Sequence, residues 1–176
     1  VVRLLDDTDA PVYVQFPETG LSQLAVRTAS CSISALLLEG TFPDFNRVIP
    51  RPESLVRTFR CKRAELQQAL RRLQLVAQEA DSPNMVICDF QPEAVAVTAR
   101  TPQLGGGEDL VPGVLHGEPL RVSFNAAYVL DALSVWESAE IEWRLQDASR
   151  ASVLLPPGES DALHVVMPVR IFGEEH

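Results

Sequence analysis

No apolar run in this 176-residue chain approaches the roughly 20 residues that a membrane-spanning helix needs, and no signal peptide is visible. Cysteine is scarce. Cys31, Cys61 and Cys88 are far apart and odd in number, which excludes a disulfide framework and predicts a reducing, cytoplasmic compartment. As small hydrophobes they need no other role than burial. Basic charge is also short. Fifteen Lys and Arg against 24 Asp and Glu leave a net charge of −9, the wrong sign for an ordinary nucleic-acid binder, because phosphates are neutralised by Lys and Arg. A role on DNA therefore requires the bases to gather on one face. Catalytic signatures are missing too. His116, His164 and His176 have no metal-ligand spacing, and no Gly-x-Ser-x-Gly, P-loop or Cys-His arrangement occurs. Gly105-Gly106-Gly107 is not followed by a helix that would aim N–H groups at a phosphate. Asp6-Asp7-Thr8-Asp9 reads as a solvated turn rather than a cation site. The expectation is a non-catalytic protein with no cofactor and no metal.

What is present is a hydrophobic fraction of 46%, enough to bury a core and to exclude global disorder. The length suggests one domain, or one and a half. Val1 to Leu5 read as the tail of a helix, so the chain is taken as part of something longer. Alternation predicts strands over Pro11 to Phe16, Gln23 to Thr28 and Ser32 to Leu38, with turn chemistry at Pro17-Glu18-Thr19-Gly20. Residues 40–54 hold Pro43, Pro50 and Pro52 without periodicity and read as a linker. A short strand over Val56 to Arg60 precedes a helix over Lys62 to Glu79, where Leu66, Leu70, Leu73 and Ala77 share one face. Met85 to Phe90 and Ala94 to Ala99 form a hairpin pair, and Gly105 to Gly107 a flexible loop. Leu110 to Phe124 makes one strand or two, interrupted around Pro112-Gly113 and His116-Gly117. A second helix covers Asn125 to Trp136, capped by Ser123 or Asn125. Strands over Glu140 to Leu145, Ser152 to Leu155 and Leu163 to Arg170 follow. Residues 1–39 and 125–170 thus share one order, helix then three strands, as a weak internal repeat.

Three patches stand apart from this pattern: Leu38-Glu39-Gly40-Thr41-Phe42-Pro43-Asp44-Phe45-Asn46-Arg47-Val48-Ile49-Pro50, the helix start Ser123-Phe124-Asn125-Ala126-Ala127-Tyr128, and His164-Val165-Val166-Met167-Pro168-Val169-Arg170. Together they resemble the bacterial β sliding clamp, the processivity subunit of DNA polymerase III. The resemblance implies an α+β DNA-clamp fold, with antiparallel sheets backed by two helices per domain. Residues 1–55 would be the C-terminal half of the family's middle domain with its crossing loop, and 56–176 its complete last domain. It also implies a non-catalytic protein that encircles double-stranded DNA without sequence specificity. Such a protein docks the polymerase catalytic subunit, the clamp loader and repair proteins through short linear motifs, and closes as a homodimer ring in full-length form.

The family's peptide-binding pocket, carried over, uses Pro43, Arg47, Val48, Asn125, Tyr128, Ser152, Val165, Val166, Met167, Pro168, Val169 and Arg170. A concave apolar lining with a few polar groups suits Leu and Phe side chains, and Met makes a pliable wall. On the first helix, Arg63, Gln67, Arg71 and Gln74 form an acid-free polar stripe that the resemblance turns toward DNA phosphates. Leu75, Val76, Glu108 and Asp109 would belong to the ring interface. The plain readings stay open beside these: core strand residues at Val165, Val166 and Val169, an ordinary N-cap at Asn125, snorkelling Arg47 and Arg170, and a solvated helix face. The alternative function is an unrelated β-rich peptide- or subunit-binding module with no DNA role. Two departures from the family pattern matter. The pocket wall contributed by the first half of the middle domain is not in this chain, and Ile171-Phe172-Gly173-Glu174-Glu175-His176 runs past the family's usual end, where the readings are a Phe172 lying over the pocket or a frayed end.

Overall fold

Three short antiparallel strands come first, β1 (Tyr13–Gln15), β2 (Gln23–Arg27) and β3 (Ser32–Leu36), in the order β1-β2-β3. Val14 pairs with Val26, and Val26 and Leu24 pair with Ile33 and Ala35. Period-two alternation therefore collects Val14, Leu24, Val26, Ile33 and Ala35 on one face and leaves the other mostly polar. Val26 is the one buried hydrophobic side chain among the described residues of this unit. The computed structural model describes residues 10–16, 22–77, 84–101, 105–158 and 161–169, and they divide into two units between Pro43 and Asp44. The helix tail expected at Val1 to Leu5, the Pro17 to Gly20 turn and the Asp6 to Asp9 run lie outside the described residues.

The second unit opens with two single 3-10 turns, Phe45–Arg47 and Pro52–Ser54, in what the sequence marks as a linker. Then come β4 (Arg57–Lys62), α1 (Arg63–Ala77), β5 (Met85–Gln91), β6 (Ala94–Thr101), β7 (Gly105–His116), β8 (Leu120–Asn125), α2 (Ala126–Ser134), β9 (Glu140–Leu145), β10 (Ser152–Leu155) and β11 (His164–Val166). All strand pairs are antiparallel, in the order β11-β10-β9-β4-β7-β6-β5-β8. That sheet cannot be flat. β5 and β9 are four places apart, about 19 Å in a flat sheet, yet the rings of Phe90 and Trp143 meet edge-on at 5.3 Å. Phe59 and Phe124 complete the cluster, 5.4 Å from Phe90 and 4.7 Å from Trp143. The two ends of the order also meet, since the Val169 N–H just beyond β11 donates to the Ser123 carbonyl in β8 at 2.8 Å.

α1 buries Leu66, Ala69, Leu70, Leu73 and Ala77 against this sheet, the stripe its spacing predicts. α2 starts where Asn125 Oδ1 accepts the Ala127 N–H, so Asn125 rather than Ser123 is the cap. Asn84, held at φ 62°, ties the two helices together. Its N–H donates to the Ala77 carbonyl, its own carbonyl accepts the Ala126 N–H, and its Oδ1 accepts from Gln74 Nε2. Asn tolerates that left-handed geometry better than most residues.

Three local expectations need correcting. Gly105 to Gly107 is not a loop but the start of β7, paired with Thr101, Arg100 and Ala99. A Cβ on Gly107 would lie 3.0 Å from Leu73 Cδ2, so the glycine there lets strand and helix approach closely. β7 also runs unbroken through Pro112-Gly113. A Cβ on Gly113 would lie 2.6 Å from the Arg60 carbonyl oxygen and closer still to the Phe59 ring, so this glycine marks a close crossing of β4. β11 is shorter than the segment Leu163 to Arg170, ending at Val166. Pro168 has no N–H to continue a ladder, which suits the edge position of β11.

Candidate functional site

A surface groove of about 320 Å³ lies between α2 and β11, lined by Tyr128, Asp131, His164, Val165, Val166 and Met167. Its two walls are set by ordinary folding rules. α2 turns Ala126, Val129, Ala132 and Leu133 into the core, which leaves Tyr128 and Asp131, three residues apart, on the outward side. β11 pairs with β10 in the register Ser152↔Val166, Val153↔Val165 and Leu154↔His164. Val166 is 3% exposed and forms the floor, whereas Tyr128 at 63% and Met167 at 57% stand up as the rims. An exposed aromatic facing an exposed thioether across a valine floor is an adaptable apolar cleft of the kind that takes extended peptide side chains.

Of the expected pocket residues, Tyr128, Val165, Val166 and Met167 come together here. Ser152 does not line the groove. It is 1% exposed and lies beneath, where its hydroxyl accepts from Trp143 Nε1 at 2.9 Å and donates to the Val166 carbonyl at 3.0 Å. Asn125 is occupied as the helix cap. Pro168 and Val169 are half-buried, and Val169 is anchored to β8. Arg47 and Val48 are exposed in and after the first 3-10 turn, where Arg47 pairs with Asp44 at 3.4 Å, and neither lines the groove. Pro43 is exposed at the end of the first unit, and Arg170 lies outside the described residues. Asp131 and His164 are groove residues that sequence reasoning missed. A helical step of three from Tyr128, and the residue next to Val165, were the signals that would have found them.

The polar stripe of α1 divides in two. Arg63 is half-buried, and its guanidinium donates to the carbonyls of Leu133 and Ser138 and to Gln67 Oε1. It thus satisfies carbonyl groups at and just beyond the C-terminal end of α2. Gln74 is held by Asn84. Arg71 is exposed, with no ion pair among the described residues. Near the end of α1, Leu75 is 70% exposed while Val76 packs half-buried against the core. Glu108 is exposed on β7, and neighbouring Asp109 is paired with Arg72 at 2.6 Å.

Elsewhere, Glu142 is 5% exposed between Arg60 and Arg144. Burial alone would raise its pKa, but hydrogen bonds and charge from Arg144 and Arg60 together hold it below the usual carboxylate value. Burial pushes the Cys61 and Cys88 thiols up to about 12. No group of three or more His, Cys, Asp or Glu that could hold a metal occurs among the described residues, and no described helix is long and apolar enough to cross a membrane.

Residues 46–170 match the family model described as the DNA polymerase III beta subunit, C-terminal domain. The beta sliding clamp of Bacillus subtilis is 30% identical over 175 residues, covering 97% of this chain and 44% of that protein. The beta sliding clamp of Vibrio cholerae is 29% identical over 171 residues, with 97% and 45% covered. The crystal structure of the Bacillus subtilis DNA polymerase sliding clamp superposes with a TM-score of 0.83 at 27% identity, over 97% of this chain and 44% of that one. The fold is therefore the α+β clamp fold, and the chain spans less than half the length of the curated relatives it matches. An eight-stranded antiparallel sheet wrapped on two helices, a groove assembled from the C-terminal Val-Val-Met segment, and a family match across most of the second unit converge on one assignment: the chain belongs to the DNA polymerase III beta subunit family, of which it is a C-terminal part.

Proposed function

We propose that this chain is the C-terminal part of a bacterial DNA sliding clamp, a non-catalytic processivity factor that works on DNA in the cytoplasm. Residues 1–55 are the second half of a middle domain with its crossing loop, and residues 56–176 are the last domain. The lone three-stranded sheet supports that division. Its apolar face of Val14, Leu24, Val26, Ile33 and Ala35 buries only one side chain among the described residues, too little to offset the cost of ordering it. The full-length protein encircles double-stranded DNA as a homodimer and meets the phosphates with α1, where Arg71, Gln67 and Gln74 carry the contact and Arg63 adds charge while bracing α2. A net charge of −9 is compatible with this, because a ring needs basic groups only on its inner wall and an acidic exterior disfavours stray adhesion to DNA. Leu75, Val76, Glu108 and Asp109 belong to the subunit contact.

The observation that carries the proposal is the convergence of Tyr128, Val165, Val166 and Met167 on one groove from segments about 40 residues apart. The polymerase, the clamp loader and repair proteins dock there through short linear motifs. The test is fluorescence anisotropy of a labelled Gln-Leu-x-Leu-Phe peptide titrated with this chain and with the full-length protein. Saturable binding is expected, weakened more than tenfold by Met167→Asp. That substitution falls on an exposed side chain, so it should leave the fold intact. Failure of both folded proteins to bind would sink the proposal. The alternative of an unrelated β-rich module is not favoured, because the family match covers residues 46–170.

A further inference from the structure

The groove carries one feature that an apolar cleft does not need. Of the nine residues of α2 and the three of β11, Asp131 is the only Asp, Glu, Lys or Arg, and it lies on the groove wall one helical turn beyond Tyr128. Its carboxylate is exposed and has no hydrogen bond or ion pair among the described residues; only its backbone carbonyl is used, by the Ser134 hydroxyl at 2.7 Å. The position is locally unfavourable. Asp131 sits in the last turn of α2, where the helix dipole is negative and repels an acid, and no basic residue shares that turn. Folding therefore gains nothing visible from this carboxylate.

We infer that Asp131 is a specificity residue of the groove, selecting extended apolar partner segments that carry a Lys or Arg directly beside their hydrophobic anchor. The inference rests on the peptide-docking reading of the groove. Residues three apart on a helix are about 5 to 6 Å from each other at Cβ. A peptide side chain held between Tyr128 and Met167 thus places its neighbour within reach of the carboxylate. Acidic partners are disfavoured twice, by Asp131 and by the overall charge of −9.

The test uses three labelled peptides with one apolar motif and Lys, Ala or Glu in the flanking position, made for each end of the motif. They are titrated by anisotropy into this chain and into Asp131→Asn. At one end the Lys peptide should bind about three- to fivefold tighter than the Ala peptide, the range of an exposed ion pair, and the Glu peptide weaker. Asp131→Asn should bring Lys and Ala together, and about 0.5 M salt should do the same in the parent chain. If the Ala peptide binds but neither end shows a preference, or the preference survives in Asp131→Asn, the inference is overturned while the groove reading stands. If no peptide binds, the groove reading fails and takes the inference with it. Thermal unfolding supplies the second readout. Asp131→Asn should melt at or slightly above the parent temperature, and a fall of several degrees would give Asp131 a folding role and overturn the inference.

Discussion

Ser152→Ala removes one oxygen atom and should cost far more than its size suggests. The Ser152 hydroxyl is a two-way bridge, accepting from Trp143 Nε1 at 2.9 Å and donating to the Val166 carbonyl at 3.0 Å, with Ser152 and Trp143 both essentially inaccessible to water. Alanine keeps the backbone and nearly the volume, so packing changes little. It deletes two hydrogen bonds, worth about 1 kcal/mol each, and strands the indole N–H in the core, which adds roughly 1–3 kcal/mol for an unsatisfied buried donor. The expected loss is about 3–5 kcal/mol, read as a lower urea midpoint by far-UV circular dichroism. Trp143→Phe alone should cost about 2 kcal/mol through the cavity it leaves. Because it also removes the stranded donor, the double variant should lose at least about 1 kcal/mol less than the sum of the two. A cycle additive within about 0.5 kcal/mol, or a Ser152→Ala loss below that figure, would refute the bridge. The same variant separates support from contact. Ser152 lies under Val166 rather than in the groove, so folded Ser152→Ala should keep peptide affinity within about threefold. A loss as large as that of Met167→Asp would mean that the hydroxyl reaches the peptide.

Two further outcomes follow from the titratable groups. The Glu142 carboxylate has its pKa depressed in the fold, because Arg144 and Arg60 outweigh the opposing effect of burial. Its stabilisation is then present above the ordinary glutamate value near pH 4.3 and lost as pH falls through the lower folded value. Glu142→Gln should cost about 1–3 kcal/mol at pH 7, less than a fully buried pair because both arginines are partly exposed, and the gap to the parent chain should close below about pH 4; a pH-independent gap would refute this. Thiol chemistry should likewise be uneven. At pH 8 iodoacetamide should modify half-exposed Cys31 readily and spare buried Cys61 and Cys88, whose thiols are pushed up to about 12. All three should react in urea, and mass spectrometry showing three fast adducts on the folded chain would contradict the burial.

Much of the second unit was legible in the sequence because its signals are local. The 3.6-residue spacing of Leu66, Leu70 and Leu73 predicted α1, and a cap at Ser123 or Asn125 marked the start of α2, with the structure choosing Asn125. Alternation predicted β5 and β6 and the hairpin between them. Gly105 to Gly107 misled because the reason for small residues there is Leu73, a neighbour more than thirty positions away. Ser152 misled in the same way. Its partners Trp143 and Val166 lie on two other strands, so nothing near it in sequence says whether its hydroxyl faces a ligand or the core.

The amino-acid sequence by itself determined the kinds of element, the core stripe of α1, the apolar face of the first sheet and, through three short patches, the family. These are properties of side-chain spacing and of motifs, and they survive without a third dimension. Tertiary structure alone decided how the eight-stranded sheet curls until Phe90 meets Trp143 and Val169 meets Ser123. It also decided that Tyr128, Asp131, His164 and Met167 share one groove, and that Arg63 spends its hydrogen bonds on the carbonyls of Leu133 and Ser138. Curling, convergence and the choice among hydrogen-bond partners depend on pairings distant in sequence, and only packing the whole core selects among them.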